Sequence, residues 1–260
     1  MHVFCDFDGT VSIEDATDFI LTRFAAPEWE NIEEEWKQGA IGSAECMQRQ
    51  ISLIHATRQE IDKALDDISI DPGFPAFVDF CRAQGFPVTV ISDGVDYFIE
   101  QILARHHLEC LPVSANRLTM SGINGDTAYH LSCPHSEPTC ASAAGVCKCR
   151  AVKSPDMSVY IGDGRSDFCV SDKPDLVFAK GKLAEYCADH GIRFIAYQQF
   201  TDVTDALRDS AACAAKLNLL TTTRSASIAR PRTWRSAAWP ATSGAGRGGS
   251  RSGDAIPGRS

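Results

Sequence analysis

Three short apolar runs each end in an aspartate-bearing turn, and segments with helical periodicity separate them. VFCDF (3–7) reads as a strand ending in Asp6-Phe7-Asp8-Gly9-Thr10. PVTVI (87–91) leads into Ser92-Asp93-Gly94. SVYIG (158–162) leads into Asp163-Gly164-Arg165-Ser166-Asp167. Strands that alternate with helices predict an α/β fold, a doubly wound, Rossmann-like parallel sheet. Such a sheet gathers the carboxyl ends of its strands along one edge, where ligands bind. All three polar turns would meet there.

The segments between the runs read as helices. Asp15 is placed to cap a helix over 16–25, with Asp18 near its positive end. Residues 28–70 read as helical throughout. Ser43 is a candidate N-cap, and Thr57 with Glu60 spells a capping box. Residues 14–72 are therefore predicted to form a small helical cap inserted after the first strand, with 1–13 and 73–212 forming the core. Pro72-Gly73 marks a break. Phe74, Phe77, Val78 and Cys81 share one helical face ended by Gly85, and 95–105 is a second amphipathic helix. Short strands are expected over 110–131 around an Asn124-Gly125 hairpin signal. LVFA (176–179), a helix stopped by Gly191, and the strand RFIAY (193–197) complete the pattern.

Four or more carboxylates crowded at one edge repel and raise one another's pKa unless a cation intervenes. Hard oxygen donors of this kind suit Mg²⁺. Asp6 and Asp8 lie two apart, so an extended strand puts them on one face. Gly9 lets backbone N–H groups approach an anion. One carboxylate can attack phosphorus, and a second can protonate the leaving alcohol and then activate water. The Ser92 hydroxyl can bind a phosphate oxygen, and a lysine would neutralise developing charge.

DFDGT, a serine after the second strand, a lysine and GDGxxD, in that order, resemble the four motifs of the haloacid dehalogenase superfamily. The insert after the first motif resembles the cap of its phosphoserine-phosphatase-like branch. FAAPEW (24–29), GFPAFVDF (73–80), VISDGVDYF (90–98), the CPH…C…GVCK stretch (133–148) and FAKGKL (178–183) are similar to the methylthiopentenyl phosphate phosphatases of methionine salvage. The resemblance spans roughly residues 3–210. It implies Asp6 as nucleophile and Asp8 as general acid and base. It implies Thr10, Ser92 and the Gly94 N–H as phosphate contacts. Asp6, the Asp8 carbonyl and Asp163 would ligate Mg²⁺, with Asp167 in support. GVCK implies Lys148 as the phosphate lysine, with Lys153 as competitor. Asp15 matches an acidic substrate-contacting position, though a helix cap explains it as well. The implied activity is hydrolysis of a small phosphate ester, with the salvage intermediate leading and phosphoserine or another amine-bearing ester as alternative. A non-catalytic binding protein on the same scaffold is the contrasting class.

The net charge of −9 is distributed unevenly. Residues 216–260 carry +7, which leaves −16 on the rest. An acidic body argues against nucleic-acid binding. No run of 18 apolar residues suggests a membrane span, and MHVFCDFDGT lacks a signal-peptide pattern, so a cytoplasmic address is expected. The expected partner is a small-molecule phosphate ester, and a homodimer is allowed. Beyond about residue 213 a Ser-, Ala-, Arg- and Gly-rich tail is predicted to be disordered, either a genuine basic tail or the product of a shifted reading frame. Eleven cysteines are an odd number, which argues against a disulfide framework. Cys5, Cys46, Cys81, Cys169 and Cys187 read as core residues. Cys133, His135, Cys140, Cys147 and Cys149 invite a zinc reading, against which their spacing lacks a clean paired pattern.

Overall fold

The structure, a computed structural model, describes residues 1–122, 127–140 and 142–209. The tail from 213 onward and the Asn124-Gly125 turn lie outside the described residues.

A seven-stranded sheet has the order β4-β3-β2-β1-β5-β6-β7. Its strands are β1 (His2–Cys5), β2 (Val88–Val95), β3 (Val113–Ser121), β4 (Ala128–Ser132), β5 (Ser158–Gly162), β6 (Leu176–Ala179) and β7 (Ile195–Ala196). Only β4 runs antiparallel, paired with β3. β1 is central, parallel to β2 on one side and β5 on the other. Its alternation explains the layers. Val3 and Cys5 enter the main core, while Phe4 faces a second cluster with Ile91, Val146, Val152, Tyr160 and Val170. Both faces are covered, which is why β1 and β5 read as unbroken apolar runs. Each fully buried Val, Ile or Phe contributes about 1.5–3 kcal/mol.

Four helices stand between β1 and the core helix α5 (Phe74–Gln84). They are α1 (Ala16–Phe24), α2 (Trp29–Lys37), α3 (Ser43–Ile51) and α4 (Arg58–Leu65). The segment expected to be helical throughout is interrupted at 38–42 and 52–57. Gly39 at φ 76° allows the first turn. Thr57 and Glu60 restart the chain with the expected capping box. The two ends of the insertion are zipped together by Ile13 N–H to Ser69 O (2.9 Å) and Asp71 N–H to Val11 O (2.8 Å). Ser43 is not the N-cap: Gly42 occupies that position, Ser43 is the first helical residue, and its hydroxyl turns elsewhere.

Three strand boundaries differ from expectation. β1 stops at Cys5, which leaves Asp6 and Phe7 outside the strand. β2 continues through Ser92-Asp93-Gly94 to Val95, with four steps on β2 (Ile91 to Val95) against two on β3 (Ser114 to Asn116). The extra residues bulge out of register, and a bulge re-aims side chains at a sheet edge. β7 keeps only two of the five residues read as a strand. Helix α6 (Asp96–Arg105) follows β2, the short α7 (Lys148–Ala151) precedes β5, and α8 (Gly181–Asp189) follows β6.

Candidate active site

Asp6 stands at the carboxyl end of β1, and burial leaves it 4% exposed. Its Oδ1 accepts from Phe7 N–H at 2.8 Å and lies 2.8 Å from Lys148 Nζ. The Lys148 ammonium also reaches Asp167 Oδ1 (2.6 Å) and Ser166 Oγ (3.0 Å), and the side chain is 1% exposed. Lys148 opens α7, which carries it beneath the sheet edge. Lys153 is exposed and stands outside this cluster.

Asp167 is fully engaged. Its Oδ1 accepts from Tyr160 OH (2.6 Å) as well as Lys148, and its Oδ2 accepts from the N–H groups of Asp163 (3.0 Å) and Gly164 (3.1 Å). Glycine is required at 162, because a Cβ there would lie 2.5 Å from Asp167 Oδ2. Tyr160 was not singled out from sequence, where it reads as one more apolar strand residue.

Carboxylate oxygens of Asp6, Asp163 and Asp167 lie within 4.8 Å of one another, the one such convergence of potential metal ligands among the described residues. Burial, then repulsion from Asp167, pushes the Asp6 carboxyl well above its ordinary range, and Lys148 only partly offsets them. Burial likewise raises Asp163. Burial opposes ionisation of Asp167 too, but Lys148, Tyr160 and the Gly164 N–H together hold it below its usual value. Burial also works against the Lys148 ammonium, and Asp167 and Asp6 keep it charged far above neutral pH. Lys148 thus touches two of the three carboxylates, and Lys180 adds positive charge near Asp163. The remaining negative charge and the all-oxygen donor set fit a hard divalent cation.

Asp8 faces the other side of the site. Its Oδ1 accepts the Ala16 N–H at 2.8 Å, at the start of α1, and its Oδ2 is 3.4 Å from Ser92 Oγ. Burial, then the Asp15 charge, raises its carboxyl well above the usual range. Ser92 is 1% exposed, and its Oγ accepts the Gly94 N–H at 2.9 Å. A Cβ on Gly94 would meet Asp8 Oδ2 at 2.6 Å, so only glycine lets β2 approach Asp8 this closely. Thr10 is placed differently from expectation. Its hydroxyl donates to Asp163 Oδ1 at 2.6 Å, and it is absent from the cavity wall. Asp15 caps α1 through the Asp18 N–H (2.9 Å) and also lines the cavity.

A cavity of about 440 Å³ opens above Asp6 and Asp8, between the core and the helical insertion. Ser92, Gly94 and Asp163 form its floor. Its lining also includes the acidic Asp15, Asp18 and Glu33, the apolar Trp36 and Met47 with Cys46, and the basic Arg165 and Lys182. The Thr17 hydroxyl at its side is buried without a partner. Sequence patterning missed Thr17, whose place on the buried face of α1 looks like ordinary core.

The cysteines divide unevenly. Cys5, Cys46, Cys81 and Cys187 are buried as expected, but Cys169 is only half-buried. Cys133, His135, Cys140, Cys147 and Cys149 form no convergent ligand set among the described residues. No helix among those residues is long and apolar enough to cross a membrane.

Among solved structures, the chain resembles a phospho-aspartyl intermediate analogue of phosphoserine phosphatase. That likeness has a TM-score of 0.56 at 20% identity over 76% of this chain and 93% of the other, and it speaks to the fold alone. Among curated proteins, 2-hydroxy-3-keto-5-methylthiopentenyl-1-phosphate phosphatase of an Exiguobacterium species is 31% identical over 214 residues, 78% of this chain and 95% of its own. The protein of that name from Geobacillus kaustophilus is 31% identical over 215 residues, 79% and 94% of the two chains. A family profile described as haloacid dehalogenase-like hydrolase matches residues 3–172. The chain belongs to the haloacid dehalogenase-like hydrolase family.

Proposed function

We propose that the protein is a Mg²⁺-dependent phosphomonoesterase acting through a phosphoryl group carried on Asp6. The observation that carries this reading is the pairing of two buried carboxylates with different neighbours. Asp6 is held beside Lys148, and Asp8 is held beside the Ala16 N–H and Ser92 without a cation of its own. Burial raises both carboxyls, and Lys148 in contact with Asp6 favours its anion over that of Asp8, which would carry the proton.

Asp6 would attack phosphorus, and the bond to the ester oxygen would break as Asp8 protonates the leaving alcohol. Asp8, now ionised, would take a proton from water as that water attacks the phosphorus of the aspartyl-phosphate. Inorganic phosphate leaves, and Asp6 and protonated Asp8 are restored. Lys148 would offset charge beside Asp6, and Ser92 would orient a phosphate oxygen, with the Gly94 N–H holding the Ser92 hydroxyl rather than the phosphate itself. Asp167 would hold Lys148 and the Asp163 backbone, and Thr10 would hold the Asp163 side chain. Asp6, the Asp8 carbonyl and Asp163 would hold Mg²⁺ with Asp167 behind them. The metal, when bound, supplies Lewis-acid neutralisation of the phosphoryl oxygens. Helices α1–α4 would act as a cap that excludes water from the cavity.

The leading substrate is 2-hydroxy-3-keto-5-methylthiopentenyl 1-phosphate, because full-length relatives carry that name. Such a substrate would give the enzyme a role in methionine salvage, and a cytoplasmic address is part of the same proposal. The apolar lining of Trp36 and Met47 with Cys46 supports a thioether tail. The acidic lining of Asp15, Asp18 and Glu33 favours an amine-bearing ester instead, as the second reading. Phosphate release from the salvage intermediate, phosphoserine and phosphoethanolamine, each with Mg²⁺ and with EDTA, separates them. A Mg²⁺-dependent preference for the salvage intermediate supports the first reading, and one for an amine ester supports the second. Turnover that survives Asp6→Asn would rule out covalent catalysis by Asp6.

A further inference from the structure

Asp93 sits between the two halves of the site. Its Oδ2 accepts the Ser43 hydroxyl at 2.5 Å, from the first turn of α3 in the insertion. Its Oδ1 accepts the Val146 N–H at 2.9 Å, two residues before Lys148. One carboxylate therefore touches both the insertion and the lysine loop. It is fixed from behind by Asn116, which is fully buried and donates Nδ2 to the Asp93 carbonyl at 2.5 Å. Asn116 in turn packs against Gly145, where a Cβ would lie 2.2 Å from Asn116 Oδ1. The β2 bulge is what turns Asp93 to this position, since its two neighbours in β2 serve Asp8.

The same seam continues on both sides of Asp93. Ala44 N–H donates to Ala143 O at 3.2 Å, and Gly42 packs so closely on Ala143 that a Cβ would meet it at 2.5 Å. Beyond it, Arg165, in the turn that ends at Asp167, donates to Lys37 O at 3.4 Å. The insertion thus rests on the two segments that hold the buried Lys148–Asp167 pair. Ser43, Asp93 and Arg165 also line the cavity, so the seam runs along its side.

We propose that Asp93 is a positioning residue that couples the seating of the helical insertion to the placement of Lys148 against Asp6. With Ser43 on Asp93, the loop 142–146 is pinned and α7 starts where Lys148 meets Asp6. When the insertion lifts, Asp93 loses the Ser43 donor and keeps Val146 and Asn116, and the lysine loop loses its support from the insertion. Substrates large enough to need the insertion would then secure their own catalytic lysine. The proposal rests on the phosphatase reading of the cavity.

The test compares Ser43→Ala, Asp93→Ala, Asp93→Asn and the double Ser43→Ala/Asp93→Ala variant, in full-length protein with Mg²⁺. Two substrates are used, acetyl phosphate and the salvage enol phosphate. The first has too small a leaving group to engage the insertion. Ser43→Ala is expected to lower kcat/KM for the enol phosphate about tenfold, the scale of one charge-assisted hydrogen bond, and to leave acetyl phosphate unchanged. Asp93→Ala is expected to lower kcat for both, since Val146 is released as well. Asp93→Asn keeps an acceptor for Val146 and a polar partner for Ser43, so it should recover most of that loss. The double variant should match Asp93→Ala alone. A neutral Ser43→Ala beside a damaging Asp93→Ala would mean that Asp93 meets the substrate directly, and would overturn the proposal. So would equal losses on both substrates in Ser43→Ala, or multiplicative effects in the double variant. Hydrogen exchange of the unliganded proteins gives a readout free of turnover. Ser43→Ala should speed exchange at the start of α3 and also in 144–149, and a change confined to α3 would sink the coupling. If wild-type protein hydrolyses neither compound, nor phosphoserine or phosphoethanolamine, the phosphatase reading fails, and the exchange result alone still decides the coupling.

Discussion

Replacing Lys148 by methionine keeps much of the stem and removes the ammonium, with its charge and its donors to Asp6, Asp167 and Ser166. The ammonium lies 2.8 Å from Asp6 and 2.6 Å from Asp167, with 1% of the side chain exposed. Removing one member of a buried ion pair costs about 3–5 kcal/mol, because the partner is left charged and unsolvated. A domain of this size loses about 2–4 °C of Tm per kcal/mol, so a fall of about 6–20 °C is expected. The sign of the pH dependence follows from linkage. Asp6 and Asp163 already have folded-state pKa values raised above the unfolded ones. Without the lysine they rise further, so the folded variant binds more protons than its unfolded chain. Stability then falls as pH rises through that window, and the gap to wild type should widen between pH 5 and pH 8. Scanning calorimetry in EDTA across that range measures it. Turnover should fall at least about a hundredfold, the loss seen when one electrostatic donor is removed from a reacting centre. A constant or narrowing Tm gap would refute the charge argument. Intact turnover in Lys148→Met, with loss in Lys153→Met, would refute the assignment of the lysine.

Three further outcomes are expected. Gly94→Ala should fold normally by circular dichroism yet lose about a hundredfold in kcat, because its Cβ would press on Asp8 Oδ2 at 2.6 Å and Ser92 Oγ at 3.0 Å. Asp18 is pushed up to about 7, by burial first and then by Asp15 and Glu33. It is neutral below that pH and ionises above it, adding negative charge to the wall a phosphate ester must pass. KM should therefore rise as pH passes 7, by about twofold to fivefold, since solvent screens a group at the cavity rim. Asp18→Asn should flatten that rise in a pH–KM profile. Thr57→Ala should lower Tm by about 2–4 °C without changing kcat, since the capping box at α4 lies away from the cavity.

The fold was legible because its signals are local. Val3, Cys5, Val159 and Ile161 alternate with Phe4 and Tyr160 between two apolar layers, and a strand buried on both faces announces itself as an unbroken apolar run. Asp6, Asp8, Asp163 and Asp167 were legible for a related reason. Parallel topology converts three separate strand ends into one sheet edge. What local patterns could not supply was the division of labour among polar groups at that edge. Thr10 reads as a phosphate hydroxyl but donates to Asp163. Ser43 reads as an N-cap, yet a backbone turn at Gly42 frees its hydroxyl for Asp93, 50 residues away. The bulge in β2 has no signature of its own in VISDGV, since it exists only relative to β3. Tyr160 and Asn116 are hidden for the complementary reason. A buried polar group is recognisable only through the partner it satisfies, and here those partners, Asp167 and the Asp93 carbonyl, come from other turns of the chain. Reading such a site from sequence therefore recovers the charges that meet but not the hydrogen bonds that rank them. That ranking sets Lys148 between Asp6 and Asp167 and gives the Asp163 side chain to Thr10, an arrangement that only the packing of distant turns determines.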